Sequence, residues 1–156
     1  MLALLFSAVL RSPSIKRTAL ITWAYGFGWS ACGVCWLFIS MHRYGGMSSL
    51  MAAIAVGLMG LLLGAFPALA MACATWMQQG QQRRALSATV ALLLVFPTMW
   101  TLSEWLRGWV FTGFPWLVSG YAHTASPLAG YAPIIGVYGL GYLSALIAAC
   151  IALLPV

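Results

Sequence analysis

The sequence offers few side chains for chemistry, and the first candidates are an acid and a base near its middle. Glu104 is the single acidic residue, and Arg107 follows it by three positions. Residues at this spacing share one face of a helix, so the two can pair and offset part of each other's desolvation. The pair is interpreted either as a polar anchor for a site at the outer leaflet of a membrane or as an interfacial ion pair that fixes helix depth.

An aromatic segment follows these two residues and reads W-L-R-G-W-V-F-T-G-F-P-W between Trp105 and Trp116. Tryptophan and tyrosine commonly form a belt at the level of the lipid headgroups, which is one interpretation. The aromatic density is higher than a belt needs, and Gly113 and Pro115 are expected to impose a fixed turn. The second interpretation is therefore a rigid aromatic surface that contacts an acyl chain or a glycerolipid.

The remaining candidates for chemistry carry weaker signals. His42 and His123 have the side chain of a general base, but neither has a carboxylate or nucleophile nearby in sequence, which favours polar boundary residues. Cys32 and Cys35 have C-x-x-C spacing, yet no second Cys/His pair completes a zinc site, and cysteine in an uncharged run behaves as a small apolar residue. No complete catalytic set, metal motif or cofactor motif is recognised in the sequence.

The composition indicates the kind of solvent in which these residues lie. Hydrophobic residues make up 63% of the chain and charged residues 5%, whereas a soluble domain carries roughly 25% charged residues. So little charge cannot cover a globule with polar surface, so a lipid bilayer is expected. The net charge of +6 does not indicate nucleic-acid binding, because the seven basic residues are scattered between apolar runs.

The apolar runs predict an all-α transmembrane bundle of about four full spans. Residues 1–10 are too few to span and are expected to be the end of a helix that begins earlier. The four spans are predicted at 18–41, 47–77, 85–106 and 133–154. The segment 108–132, rich in glycine, proline and aromatic residues, is predicted to be re-entrant or interfacial.

Small residues predict how the first two long helices pack and turn. Gly60 and Gly64 form a G-x-x-x-G pair, which is typical of close helix–helix contact. Pro67 is expected to kink the same helix. Gly45 and Gly46 are expected in the turn between the two helices, together with His42 and Arg43.

The basic residues predict the orientation, because cytoplasmic loops are enriched in lysine and arginine. Five of the seven lie in two loops that are expected to be cytoplasmic: Arg11, Lys16, Arg17, Arg83 and Arg84. Arg43 and Arg107 then fall on the other side. The segment 108–132 is accordingly expected outside, in the periplasm if the source is Gram-negative.

Several motifs of the sequence resemble those of one bacterial family, the apolipoprotein N-acyltransferases. The run S-E-W-L-R-G-W-V-F-T-G-F-P-W-L at 103–117, the G-Y at 120–121 and the P-L-x-G-x-A-P-I-x-G-V stretch at 127–137 are similar to its signature. Upstream, the G-F-G at 26–28, C-W at 35–36 and the stretch from I-S to G-G-M at 39–47 resemble its W-x-x-x-S-x-x-x-(F/Y)-G-G-M pattern. The resemblance covers nearly the whole chain from Arg11 onward.

The resemblance implies a multi-pass enzyme of the bacterial inner membrane that takes part in lipoprotein biosynthesis. Such an enzyme moves an acyl chain from a phospholipid donor to the amino-terminal diacylglyceryl-cysteine of an apolipoprotein. The family carries a periplasmic nitrilase-like domain with a Glu-Lys-Cys triad, and no residue here matches that triad. Residues 1–156 are therefore expected to be a transmembrane fragment that lacks the catalytic domain and is inactive alone.

The site residues implied by the resemblance are few. Phe114, Pro115 and Trp116 match the family's F-P-W near its lipid entrance, and Trp116 is the expected lipid or substrate contact. Structural support is expected from residues that match the E-x-x-R and G-G motifs: Glu104, Arg107, Gly45 and Gly46. The expected partners are the phospholipid donor, the apolipoprotein substrate and membrane lipids. No cofactor, metal or nucleic acid is expected.

Two other functions stay open from the residues alone. A small membrane transporter subunit would need polar residues along a path at mid-membrane depth. Apart from serine, threonine and cysteine, the predicted spans offer almost none there. The second alternative is a non-enzymatic membrane scaffold.

Overall fold

The computed structural model describes residues 1–12, 14–80 and 88–154. Within these ranges the regular elements are all helical and no strand occurs, which confirms the all-α prediction. The predictions for Arg83, Arg84 and the start of the third span lie outside the described residues.

In the described residues, seven α-helices follow one another, together with several short π-helical and 3₁₀ turns. The α-helices are α1 (Leu2–Leu10), α2 (Ile15–Gly33), α3 (Cys35–Ile39), α4 (Ser49–Gly80), α5 (Ala88–Val90), α6 (Phe96–Arg107) and α7 (Ala132–Ala152). π-Helical turns at Ser40–Tyr44 and Ala91–Val95 extend α3 and join α5 to α6. Between α6 and α7 lie three 3₁₀ turns, at Val110–Thr112, Ser119–His123 and Pro127–Tyr131.

Among the residues that the structure describes, two helical segments are long and apolar enough to cross a membrane, namely Ser49–Gln78 and Pro127–Ala152. The bent pair Ile15–Gly33 and Cys35–Tyr44 makes a third if it is one span. The membrane character is thus supported by two or three helices, and the predicted count of four spans is not confirmed.

The first predicted span is not one straight helix, and its prediction as an uninterrupted helix over 18–41 is wrong. Helix α2 ends at Gly33, and the following helical stretch is bent from it by 49°. A side chain on Gly33 would overlap the side chain of Leu117, which approaches from a distant part of the chain. This contact is tertiary, so the local sequence does not predict it.

The pair of helices α2 and α4 confirms the predicted glycine packing. A Cβ atom on Gly64 would lie 2.7 Å from the backbone nitrogen of Phe27, and one on Gly60 would lie 3.2 Å from the Phe27 ring. The two backbones therefore approach as closely as only glycine allows. The indole nitrogen of Trp23 donates to the Leu61 carbonyl at 3.0 Å and ties the two helices together. Helix α4 continues through Pro67.

Helix α1 packs into the centre of the bundle, although it is only nine residues long. Phe6 is fully buried and meets Phe96 of α6 edge-on, with ring centroids 5.5 Å apart. The core around this contact is formed by α1, α4, α6, α7 and the π-helical turn before α6: Leu5, Val9, Met71, Ala74, Leu92, Trp100, Ala145 and Ala149. The apolar start of the sequence is thus helical, as predicted, and is part of the core.

Candidate functional site

The segment after α6 folds into a compact turn, called the elbow here and defined as residues 108–118. Its amide groups point back to the end of α6: the Gly108 N–H donates to the Glu104 carbonyl at 3.2 Å, and the Phe114 N–H donates to the Arg107 carbonyl at 2.8 Å. Gly113 has φ of +85°, and a side chain there would overlap the Gly108 carbonyl. Glycine at position 113 therefore permits the tight return of the chain.

Backbone strain is concentrated in the elbow. Phe111, Thr112 and Leu117 have φ values of 52°, 72° and 65°, a region that residues with a Cβ rarely adopt. Each such residue costs on the order of 1–3 kcal/mol and persists only when its surroundings hold it. Strained backbone of this kind clusters at ligand sites, which makes the elbow a candidate site on geometry alone.

A buried carboxylate fixes the end of the elbow. Glu104 is 3% exposed; its Oε1 accepts the Ser119 backbone N–H at 2.9 Å and its Oε2 accepts the Ser119 hydroxyl at 3.0 Å. These charge-assisted bonds join α6 to the turn after the elbow. Sequence reasoning paired Glu104 with Arg107 and missed Ser119, because a serine 15 positions away carries no spacing signal.

Arg107 lies beside this junction and is itself 5% exposed. Its Nε and Nη2 atoms are buried and have no hydrogen-bond partner within the described residues. Each carboxylate oxygen of Glu104 accepts a bond from Ser119, and no hydrogen bond found in the described residues joins Glu104 to these two nitrogens.

The predicted F-P-W residues are placed on two different cavities. Pro115 and Trp116 line a groove of about 740 Å³ together with Trp29, Leu117 and Tyr121. Trp116 is 56% exposed. Phe114 instead lines a cavity of about 270 Å³ on α4, although its ring lies 5.1 Å from that of Trp116.

A second apolar groove adjoins the one at Trp116 and shares Trp29 and Leu117 with it. This groove has a volume of about 680 Å³ and runs along α2, where Gly28 and Cys32 form part of its wall. Nothing lies within 4 Å of the position that a Gly28 side chain would take. The two grooves give the Trp116 side of the elbow a long apolar surface.

The predicted glycine turn belongs to the α3–α4 connection and not to the elbow. Gly46 has φ of +67°, and a side chain on Gly45 would lie 2.8 Å from the Met41 carbonyl oxygen. His42 precedes this turn within the π-helical stretch, where its Nδ1 lies 2.8 Å from the Met47 carbonyl oxygen. These contacts assign the residues a local structural part in the turn.

Comparison with known proteins gives a consistent result. Residues 1–150 match the family model described as the apolipoprotein N-acyltransferase N-terminal domain. The apolipoprotein N-acyltransferase of Ralstonia nicotianae is 48% identical over 94% of this chain, and that of Methylococcus capsulatus is 45% identical over 94%. The matched regions make up 27% and 28% of these relatives, so the chain spans little more than a quarter of their length.

Proposed function

Since this chain belongs to the apolipoprotein N-acyltransferase N-terminal domain family, we propose that it forms the membrane-embedded part of an apolipoprotein N-acyltransferase. The whole enzyme would transfer an acyl chain from a phospholipid to the amino-terminal diacylglyceryl-cysteine of an apolipoprotein in the bacterial inner membrane. The part played by this chain is to bind lipid and to hold a nitrilase-like catalytic domain at the outer leaflet.

The observation that carries this proposal is the position of Trp116. Its ring is more than half exposed and lines an apolar groove of about 740 Å³. Three residues after Trp116, Ser119 is joined to α6 by two hydrogen bonds to Glu104. A fixed aromatic ring beside an apolar groove suits the acyl chain of a lipid, because burial of apolar surface is favourable and non-directional.

The proposed topology follows from the helices and the basic residues. We place the start of α2, with Lys16 and Arg17, on the cytoplasmic side and the elbow on the periplasmic side. The helical run that ends with α6 serves as a further span in this arrangement, which gives four. The buried Glu104 and Arg107, in the last turn of α6, stabilise the elbow that follows.

The test uses a full-length relative that has tryptophan at the positions aligned with Trp116 and Trp109. Changing the residue aligned with Trp116 to alanine is expected to slow acyl transfer about tenfold or more, because an aromatic contact contributes roughly 1.5–3 kcal/mol. The alanine substitution aligned with Trp109 is the control, since Trp109 is 70% exposed in the same elbow. Acylation of a lipoprotein is measured by mass spectrometry at matched expression.

The control should keep nearly normal turnover while the protein levels of both variants stay normal. Equal turnover of the two variants would remove Trp116 from the site. A loss of protein with both variants would show that the elbow serves folding alone.

A further inference from the structure

We propose that α7 positions Trp116 by contacting both ends of the elbow with one turn of helix, called the seat here and defined as Val137, Tyr138 and Gly141. This inference rests on the proposed function for the role of Trp116, and it adds the residues that fix where the Trp116 side chain lies. The members of the seat act on Trp116 through the backbone between them and not through contact with a substrate.

The start of the elbow lies against Tyr138. The nearest atom to a Cβ on Gly108 would be the Tyr138 hydroxyl oxygen, at 2.7 Å, which is well inside the ordinary contact range of 3.4–4 Å. Gly108 has φ of −71°, a value that alanine adopts readily. Space, rather than backbone conformation, therefore requires glycine at this end of the elbow.

The chain just after the elbow lies against the neighbouring residue of α7. Gly120 is buried, and a Cβ atom there would overlap the Val137 carbonyl. A backbone carbonyl cannot turn aside as a flexible side chain can, so a side chain on Gly120 would push this turn away from α7. Gly120 follows Trp116 by four positions, so such a displacement would reach the ring through a short stretch of backbone.

The Glu104–Ser119 junction lies on the same side of α7, one helical turn further along. A Cβ atom on Gly141 would lie 2.9 Å from the Ser119 hydroxyl oxygen and 3.2 Å from Glu104 Oε2. Residues 137, 138 and 141 share one face of the helix, because residues three and four positions apart are neighbours. One face of α7 therefore meets the start of the elbow, the turn after it and the carboxylate between them.

A kink in α7 fixes where the seat begins. Gly136 has φ of +66° and ψ of −176°, a combination that is essentially restricted to glycine. Nothing lies within 4 Å of the position that its Cβ would take, so backbone conformation alone requires glycine there. The kink comes directly before Val137 and sets the direction of the helical turn that contacts the elbow.

The contact at Tyr138 is tested by a double-mutant cycle in the thermal unfolding of the full chain in detergent. Gly108→Ala should lower Tm, because the new methyl group meets the Tyr138 hydroxyl. Tyr138→Phe removes that oxygen, so the double variant should recover at least half of the loss, as expected for two residues in contact. A double variant whose Tm equals the sum of the two single effects would overturn the seat.

Acyl transfer by a full-length relative tests whether the seat positions Trp116. The relative has glycine, tyrosine and tryptophan at the aligned positions, and kcat/KM for the phospholipid donor is measured per folded molecule. It should fall about tenfold for Gly108→Ala and for Gly120→Ala, since a misplacement of about 1 Å can cost on the order of a hundredfold. Adding Tyr138→Phe should return Gly108→Ala to within about threefold of wild type. Gly130→Ala is the matched control in the same connection, with nothing within 4 Å of its Cβ position, and it should leave kcat/KM unchanged.

Three results would overturn the inference. These are wild-type kcat/KM per folded molecule in both Gly108→Ala and Gly120→Ala, an equal loss in Gly130→Ala, or no rescue by Tyr138→Phe. If Gly120→Ala does not fold, Gly108→Ala and its rescue decide alone. Trp116→Ala in the same relative separates the two proposals. Full activity of that variant contradicts the proposed function and the inference with it, whereas a loss there without a loss in Gly108→Ala contradicts the seat only.

Discussion

The α2–α4 helix pair and the elbow are stabilised in opposite ways. In the helix pair, glycines on one face allow the backbones to touch, so that Gly64 lies against Phe27 along a repeating local pattern. The elbow has no repeating pattern and depends on one carboxylate that reaches Ser119. Packing in the first region is spread over many small contacts, whereas the geometry of the second rests on a few polar atoms. The elbow should therefore be far more sensitive to a single substitution.

The largest loss of stability is expected for Glu104→Ala, which would remove the carboxylate that joins the elbow to α6. The change leaves the Ser119 N–H and hydroxyl without an acceptor and the buried Arg107 without a nearby negative charge. We expect a loss of roughly 3–5 kcal/mol, as for one partner removed from a buried charged network. Thermal unfolding of the full chain in detergent, followed by circular dichroism, measures it.

Glu104→Gln provides the control for that prediction. Its amide keeps one acceptor for the Ser119 N–H, so the loss should be clearly smaller than for alanine. If the two variants unfold at the same temperature as wild type, the carboxylate does not hold the elbow.

A smaller loss is expected for Gly64→Ala in the helix pair. The new Cβ would lie 2.7 Å from the Phe27 backbone nitrogen, so α2 and α4 must move apart at a cost of about 1–3 kcal/mol. Gly57→Ala is the matched control, because nothing lies within 4 Å of its Cβ position. The control should be neutral or stabilising, since alanine favours a helix over glycine. Equal stability of the two variants would contradict the close packing.

The smallest effect is a gain in stability from Thr112→Gly. Thr112 has φ of +72°, and glycine adopts this conformation without steric strain, so a gain of roughly 0.5–1 kcal/mol is expected. Thr98→Gly is the control, because Thr98 is exposed within α6 and glycine is less favourable than threonine in a helix by roughly 0.3–0.5 kcal/mol. The same thermal measurement should show shifts of opposite sign, and two losses would argue against strain in the elbow.

The helices could be predicted from the sequence because their signals are local. Predicted bounds of 133–154 for the last span compare with Ala132–Ala152 for α7, although the helix is kinked at Gly136, whose φ is +66°. The G-x-x-x-G pair correctly marked a close helix contact. Apolar runs and small-residue spacing depend only on neighbours along the chain, so a single sequence carries them.

The details of the elbow could not be predicted because they are tertiary. The sequence indicated a fixed aromatic turn, yet nothing local identifies Ser119 as the partner of Glu104 or Leu117 as the residue whose side chain lies against Gly33. Positive φ values at Phe111 and Thr112 contradict the preference of those residue types. Such values arise only when contacts elsewhere in the fold compensate for them.

The central claim is that the locked elbow presents Trp116 to lipid, and photocrosslinking tests it most directly. The full chain is reconstituted in phospholipid vesicles with benzoylphenylalanine in place of Trp116. We expect a covalent lipid adduct on acyl-chain carbon in the otherwise unchanged chain and a several-fold lower yield when Glu104→Ala is added. Absence of any lipid adduct, or a yield that does not respond to Glu104→Ala, would contradict the account.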